Sequence, residues 1–326
     1  GNTSLQLAAR AGHVEVVRLI AAADARMLSA TNGLGDTPLH SAVRNDQTAV
    51  AALLIESTPC EPCARNEAGH TPLLMAGPLQ TAMGRVFIDS LRRRAAARGL
   101  RTLTRATVHA ASAGRALLVA ELLKDREGVP HSCDPDEGLA VMRAAIVGAD
   151  PPAVVRVLLA HSPCTGLFQL SDGTWSLPLV QAAGQDPRVN PHGAEMVGLL
   201  LAGGADVDRR LPHTETALAA ASEVGNVAAV KKLLGSGASV NVVGGPQRRT
   251  ALHRAAAELQ SVVVRALIDA GADPALVDAG GRTARELDED HQRVRHPPLV
   301  GRQLRDERCR AAIILRILDW VANGRR

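Results

Sequence analysis

Two cysteines, Cys60 and Cys63, form a Cys-Glu-Pro-Cys motif, and a C-x-x-C motif can supply half of a zinc site or a redox pair. A zinc site needs two further ligands, but His70 is the only nearby candidate and the sequence holds no second C-x-x-C. The alternative is a pair of ordinary thiols in a loop, which we favour because the remaining ligands are missing. We therefore predict neither a metal nor a cofactor.

Motifs for nucleophilic or phosphate chemistry are also missing. No serine lies in a G-x-S-x-G turn. The glycine-rich stretch GSGAS at 235–239 follows a predicted helix, whereas a phosphate-binding loop follows a strand. The stretch at 280–282 lacks the lysine of a P-loop. These observations predict that the chain is not an enzyme.

The densest charge in the chain is an arginine cluster between residues 85 and 105. The cluster comprises Arg85, Arg92, Arg93, Arg94, Arg98, Arg101 and Arg105. Asp89 is its only acidic residue, so seven arginines against one aspartate give +6, which exceeds the +4 of the whole chain. Three interpretations remain open: a solvated helix face, a docking patch or localisation signal, and a nucleic-acid contact. We favour the solvated face.

Composition excludes several classes of protein. The chain has two Phe, two Trp and no Tyr, which disfavours proteins that stack nucleic-acid bases on aromatic rings. Its five scattered cysteines disfavour a disulfide framework and favour an intracellular location, cytoplasmic or nuclear. No apolar run approaches the length of a membrane span. Protein partners are therefore favoured over nucleic acid or membrane.

A threonine and alanine signature recurs along the chain and defines an internal repeat. It reads GNTSLQLAARAG at 1–12, GDTPLHSAVR at 35–44, GHTPLLMAG at 69–77, TALAAASEVG at 216–225 and TALHRAA at 250–256. The marker alanines are Ala8, Ala42, Ala76, Ala110, Ala144, Ala182, Ala221 and Ala255, with spacings of 34, 34, 34, 34, 38, 39 and 34 residues. A period that resumes after two insertions indicates a repeat protein.

The sequence pattern of each repeat predicts two helices. Its second half carries Leu, Ile and Val at i, i+3 and i+4, as in VEVVRLI at 14–20, which is the period of an amphipathic helix. Gly-Ala-Asp at the end of this helix, as at 271–273, predicts a left-handed C-cap. The first half predicts a shorter helix, which Thr caps and in which Pro fits the first turn.

The order Gly-x-Thr-Pro-Leu-His-x-Ala-Ala, a Leu-Leu helix and Gly-Ala-Asp resembles the ankyrin repeat. The resemblance covers residues 1–288, with eight repeats and the start of a ninth. It implies an all-α solenoid of stacked helix-turn-helix units with projecting loops or β-hairpins. It also implies that His40 and His253 form hydrogen bonds between adjacent loops and take no part in catalysis.

Repeats three to five depart from this signature. After residue 77 the expected second helix of repeat three is replaced by an irregular stretch that includes Phe87. Repeats four and five keep the alanine pair but lose the Thr-Pro-Leu start. Insertions lie near 161–177 and 184–195, and the second is predicted to be an enlarged turn between two helices.

The C-terminal part predicts an end to the array. Residues 289–308 form an irregular connection, and 309–326 predict a capping helix that includes Trp320, because a terminal repeat must cover its apolar face. Phe168 and Trp175 lie in the first insertion. They either anchor a partner from a projecting loop or fold back over the insertion.

Partner contacts are predicted at the loop tips, whose residues are free to vary while core positions are fixed. The predicted partner-binding residues are Asn32, Leu34, Asp36, Arg65, Asn66, Glu67, His70, Asp172, Trp175, Arg209, Arg210, His213, Arg248, Arg249, Asp278 and Arg282. Arg10 and Arg44 share one position of the first helices, and Arg143 and Arg254 share another. The resemblance places these positions on the concave face, where they form either a ladder for acidic side chains or solvated surface.

The leading functional prediction is a non-catalytic scaffold that binds a protein partner through its loop tips and concave face. An acidic partner would match the arginines. One alternative is the recognition or regulatory arm of a larger multidomain protein, suggested by a sequence that starts inside the first repeat. Another is nucleic-acid binding through the arginine cluster. The expected state is a monomer or part of a larger chain.

Overall fold

In a computed structural model the chain folds into successive pairs of helices joined by short turns. The structure describes residues 1–57, 61–78, 80–98, 101–124, 135–161, 168–169, 175–210, 214–287, 312–319 and 321. The chain divides into two compact bodies. The first comprises Gly1–Glu137 and Val147–Val157, and the second comprises Gly138–Ile146 and Leu158–Arg326.

The first body contains repeats one to four. Its helices are α1 Ser4–Ala11, α2 Val14–Ala23, α3 Pro38–Arg44, α4 Thr48–Glu56, α5 Pro72–Met75, α6 Ala82–Arg98, α7 Arg101–Ser112 and α8 Ala116–Lys124, with a 3-10 turn at Ala25–Leu28. First helices pack on first helices (α1, α3 and α5), and second helices pack on second helices (α2, α4 and α6). Two layers of helices therefore build this body. The helices of repeat five, α9 Pro135–Val147 and α10 Pro151–His161, contribute to both bodies.

The second body repeats the same arrangement. Its elements are β1 Phe168–Gln169, β2 Trp175–Ser176, α11 Pro178–Ala183, α12 Gly193–Ala202, α13 Ala217–Glu223, α14 Val227–Gly235, α15 Ala251–Ala257 and α16 Ser261–Asp269. The first helices α11, α13 and α15 pack together, as do the second helices α12, α14 and α16. The all-α solenoid of stacked helix-turn-helix units is confirmed, and β1 and β2 add a short antiparallel pair of strands.

Threonine begins the first helix of the regular repeats. The hydroxyl accepts a hydrogen bond from the backbone N–H three residues on, which satisfies a donor that the helix leaves free. These threonines are Thr3, Thr37, Thr71, Thr216 and Thr250. Pro38 and Pro72 lie in the first turn, where a missing N–H costs nothing. Both capping predictions are confirmed.

Small residues bring the first helices together, and leucines fill the second layer. Ala42 and Ala255, one period marker from each body, are completely buried. Leu54 and Leu267, which share a position in α4 and α16, are also completely buried. Burying one leucine contributes roughly 1.5–3 kcal/mol, so packing rather than helix length stabilises these short helices.

Glycine in the left-handed region follows three of the second helices. Gly204, Gly237 and Gly271 have φ values of +87°, +86° and +91°. A side chain would strain the backbone at such angles, which explains why glycine opens the Gly-Ala-Asp or Gly-Ala-Ser segment. The predicted C-cap is confirmed.

Repeat three corrects the sequence interpretation. The stretch after residue 77 was expected to be irregular, but α6 runs over Ala82–Arg98 and packs against α4. Phe87 and Leu91, one helical turn apart, are completely buried and hold α6 in the stack. The first helix is shortened instead, since α5 covers only Pro72–Met75.

The insertions and the C-terminal segment are described in part. The strands β1 and β2 pair antiparallel, with Phe168 opposite Ser176 and Gln169 opposite Trp175. Residues 184–192 join α11 to α12. Residues 312–319 are helical and bury Ile314. The connection at 289–308 and Trp320 lie outside the described residues.

Candidate protein-binding surface

One Asn or Asp shapes the turn at three hairpin tips. The Oδ1 atom of Asn32 accepts hydrogen bonds from the backbone N–H groups two and four residues on, both at 2.9 Å. Oδ1 of Asp278 does the same at 2.7 and 3.1 Å, and Oδ1 of Asn66 accepts one from the N–H four residues on at 2.9 Å. The tip is therefore an Asx turn, whose shape the side chain fixes from inside.

A buried polar network joins the first of these tips to the helices. The carboxylate of Asp36 accepts two hydrogen bonds from the Arg44 guanidinium and one from Asn66 Nδ2 at 2.8 Å. The backbone carbonyl of Asp36 accepts a hydrogen bond from Gln6 Nε2 at 2.6 Å. Burial tends to raise the pKa of Asp36, but the Arg44 and Asn66 hydrogen bonds outweigh it and hold the pKa below its usual value.

Backbone hydrogen bonds connect each tip to the next. In the first body Glu67 N–H donates to the carbonyl of Leu34 at 3.1 Å. In the second body Gly245 N–H donates to Thr214, and Ala279 N–H donates to Gln247, at 2.9 and 2.8 Å. Neighbouring tips in each body are therefore held in register.

Two histidines tie a helix start to the following tip. Nε2 of His40 lies 3.1 Å from the carbonyl oxygen of His70, and Nε2 of His253 lies 3.1 Å from that of Arg282. On the other side of each ring, Nδ1 accepts from the backbone N–H of the capping threonine. Burial lowers the pKa of both histidines, which keeps the rings neutral. The predicted structural role is confirmed.

Tip side chains in the first body reach solvent. Leu34 is 61% exposed. Arg65, Glu67 and His70, at the next tip, are also exposed. The two neighbouring tips together offer an apolar side chain and charges of both signs.

Tip side chains in the second body are basic. Arg209, Arg210 and Arg248 are exposed. Arg210 donates from Nη1 to the carbonyl of Val243 in the next tip at 2.9 Å. Arg248 has a φ of +49°, a left-handed conformation that is uncommon outside glycine and arises at the turn of the hairpin. The surface formed by Arg209, Arg210 and Arg248 is called the basic tips below.

Four predicted partner-binding residues face inward, which corrects the sequence interpretation. Asp36, Asn66 and Asp278 are buried because their side chains hold the turns and the network just described. The side chain of Arg249 is only 14% exposed, and its Nε lies 3.5 Å from Asp278 Oδ2. The sequence spacing could have identified the turn-holding residues, because an Asn or Asp lies three residues before each of the tip glycines Gly35, Gly69 and Gly281.

The remaining predicted contacts fall into two groups. Asn32 is half-buried, because it holds its own turn. Arg282 is partly exposed, but its Nη2 donates to Asp278 Oδ2 at 3.1 Å. Asp172 and His213 lie outside the described residues, and for Trp175 only the backbone of β2 is described.

More of the positive charge of the arginine cluster is paired within the chain than the sequence predicts. Carboxylates from α4, from α8 and from the segment after α4 lie against it: Arg93 pairs with Glu56 at 2.8 Å, Arg105 pairs with Glu61 at 2.9 Å and Arg92 pairs with Glu121 at 3.4 Å. Arg94 donates to the carbonyl of Ile55 at 2.7 Å, and Arg85 donates to that of Gln80 at 3.0 Å. The expectation that Asp89 alone opposes the cluster is therefore wrong. The side chains of Arg98 and Arg101 lie outside the described residues.

Two arginines of the expected concave ladder already hold acidic side chains. Arg44 binds Asp36, as described above. Arg254 pairs with Glu215, and its Nη1 lies 3.7 Å from Glu223 Oε2. Burial and then the charge of Glu258 raise the pKa of Glu223. Arg10 is exposed and Arg143 is half-buried.

The environment of Cys63 disfavours a free thiolate. Its side chain is buried, and burial raises the pKa of the thiol to about 12. A redox-active cysteine reacts as an accessible thiolate, which a lowered pKa favours, so the burial of Cys63 disfavours redox reactivity. Cys60 lies outside the described residues.

A comparison of the sequence with protein families identifies the repeats. No helix in the described parts of the chain has the length and apolar character needed to cross a membrane. No curated protein sequence matches the chain significantly. The crystal structure of the human ASB11 ankyrin repeat domain aligns over 92% of this chain and 100% of its own, with 21% identity and a TM-score of 0.35. The family model described as "Ankyrin repeats (3 copies)" matches residues 1–66 and 179–278, just over half of the sequence, and the chain therefore belongs to the ankyrin repeat family.

Proposed function

We propose that this protein is a scaffold that binds a protein partner through its hairpin tips. Ankyrin repeats generally act as protein-interaction modules and bind protein partners, and the fold is typically non-catalytic. The observation that carries the proposal is a contrast between backbone and side chains at the tips. Asx turns hold the tips at Asn32, Asn66 and Asp278, and backbone hydrogen bonds join neighbouring tips. Exposed side chains at the tips include Leu34, Glu67, Arg209 and Arg248.

A fixed backbone favours binding because little ordering remains to be done. Association costs roughly 0.5–1.5 kcal/mol for each mobile side chain that it immobilises, and disordered loops cost more. The network around Asp36 already holds the tip of repeat two against α1 and α3. A partner at this tip therefore meets a surface that does not need to fold first.

The two bodies suit different parts of a partner. The neighbouring tips at Leu34 and Glu67 combine an apolar side chain with exposed charges, which is the usual composition of an interface anchor with a polar rim. The basic tips suit carboxylates, because arginine forms forked hydrogen bonds to them. The concave arginines contribute less, since Arg44 and Arg254 already pair within the chain. The proposal therefore centres on the tips and on a partner with acidic segments.

Charge reversal at the basic tips tests this function. The variant Arg209→Glu, Arg210→Glu, Arg248→Glu is compared with wild type by affinity purification and quantitative mass spectrometry. The matched control is Lys231→Glu, Lys232→Glu, Arg265→Glu, which reverses the same charge on exposed faces of α14 and α16 in the same body. We expect the tip variant to lose its specific partners about tenfold while the control retains them. Equal retention by both variants would overturn the proposal.

A further inference from the structure

An open cleft lies where repeat three loses the end of its first helix. In repeat two, α3 continues to Arg44 and buries Val43. One period later stand Pro78 and Gly77, and α5 already ends at Met75. Gly77 has a φ of +80°, which turns the chain away from the helix, and it brings no side chain to replace Val43. A space remains where other first helices have a filled turn.

This cleft has a volume of about 280 Å³ and a mostly apolar wall. Leu73 and Leu74 come from α5, Leu117 and Leu118 come from the first turn of α8, and Pro78 closes one side. Leu117 is 70% exposed, so the apolar wall of the cleft reaches water there, while Leu73 is buried. The volume is below the roughly 300–1,000 Å³ of small-molecule pockets, and it suits one large side chain of a bound segment.

The rim of the cleft is basic. Arg115 lines the cleft and is exposed, and in the described parts of the chain no carboxylate pairs with it. Arg85 is close by, since it donates at 3.0 Å to the carbonyl of Gln80, another lining residue. Asp150 lies behind Gly114, but its carboxylate faces the start of its own helix, 3.5 Å from Ala153 N. An apolar floor below unpaired positive charge favours an occupant that is apolar and acidic.

We propose that this cleft binds a large apolar side chain, Leu or Phe, from an acidic segment of a protein partner. The apolar side chain fills the space left by the lost helical turn, and a neighbouring carboxylate pairs with Arg115. The cleft lies at the turns between the first and second helices of repeats three and four, away from the hairpin tips. The site shares no residue with the basic tips, so the two proposals can be tested independently.

A titration of the full chain, labelled with ¹³C at its leucine methyl groups, tests the site. The probe is the synthetic peptide acetyl-Glu-Asp-Leu-Phe-Glu-Asp-amide, compared with a peptide in which Ala replaces Leu and Phe and with one in which Lys replaces the acids. We expect saturable shifts of the methyl signals of Leu73, Leu74, Leu117 and Leu118 with the first peptide. Both altered peptides should bind about tenfold more weakly.

Three variants locate the binding in the cleft. Arg115→Glu reverses the rim charge, Leu117→Asp changes an exposed position, and Ala116→Phe fills the cleft from its wall, so none of them removes a buried core residue. Each should raise the Kd about tenfold, whereas the control Val189→Asp, at a residue 84% exposed in the second body, should not. The proposal is overturned by an absence of saturable leucine shifts, by equal binding of the basic peptide, or by variants that bind like wild type.

Discussion

Both terminal nitrogens of the Arg44 guanidinium group donate hydrogen bonds to the carboxylate of Asp36, and the Asp36 side chain is completely excluded from solvent. A hairpin tip and the end of a helix eight residues later are thus joined through one ion pair. Asn66, at the next tip, adds a third hydrogen bond to the same carboxylate. Through Asn66 the Asp36 carboxylate links two repeats, and the contribution of the ion pair to stability can be measured.

Asp36→Asn is expected to lower the free energy of unfolding by roughly 2 kcal/mol at pH 7, because it leaves Arg44 facing an amide. The expected loss of stability is smaller than for a fully buried ion pair, because Arg44 is 46% exposed and reaches water. Urea unfolding followed by circular dichroism measures it, with Glu15→Gln as the control. Glu15 forms an exposed pair with Arg18, so the control should change stability by at most about 0.5 kcal/mol.

The same pair predicts an acid dependence. The folded pKa of Asp36 is lowered, so its contribution is complete above the unfolded value of about 3.9 and is lost as the pH falls through the folded value. The difference between wild type and Asp36→Asn should therefore shrink below about pH 4. A difference that stays constant down to pH 2 would contradict the assignment of the stability to this carboxylate.

The two capping histidines predict a second pH dependence, nearer neutrality. Both folded pKa values are lowered, so protonation of the unfolded chain destabilises the fold as the pH drops below about 6.5. Gln6 occupies the same position in α1 and forms the same capping box without titrating. The variant His40→Gln, His253→Gln should therefore fold, and it should lose less stability than wild type between pH 7 and pH 5. Parallel pH curves for the two proteins would exclude this role.

Within the arginine cluster, Arg94 is predicted to stabilise the fold, whereas Arg85 is predicted to contribute little to stability. Arg94 donates to the carbonyl of Ile55, in the last turn of α4, where the helix leaves carbonyls without partners. Arg94→Ala should cost about 1–1.5 kcal/mol of stability, and the exposed Arg85→Ala should cost at most about 0.5 kcal/mol. Thermal and urea unfolding of the two variants checks the order. Equal losses would show that the Ile55 contact contributes nothing.

Local features of the fold could be read from the sequence, and contacts between repeats could not. The capping threonines and the left-handed glycines act within a few residues, so their spacing carries the information. Glu121 is 29 residues from Arg92, and Glu61 is 44 residues from Arg105. Such pairs arise only when repeats stack. Composition therefore overstated the free charge of the cluster.

The predicted partner-binding residues also depend on contacts that the sequence does not reveal. Side-chain type suggested that Asp36 and Asp278 would contact a partner, because polar residues in loops are usually exposed. Their burial follows from hydrogen bonds to backbone N–H groups and to arginines that the fold brings to them. The cleft below Gly77 was visible only as a deviation from the repeat, since its volume depends on how α5 ends beside α8.

Cys63 supplies the final prediction, which concerns chemical reactivity. A thiol with a pKa of about 12 holds, at pH 8, roughly three orders of magnitude less thiolate than a cysteine with the ordinary value of about 8.5. Iodoacetamide should therefore leave Cys63 unmodified in the folded chain and alkylate it in urea, as peptide mapping by mass spectrometry can show. Ser29→Cys places a thiol at an exposed position of the same body and should react at once in the folded protein. Alkylation of Cys63 at the rate of this control would mean that the thiol is accessible as thiolate, and the Cys60–Cys63 motif would again be a candidate for redox chemistry.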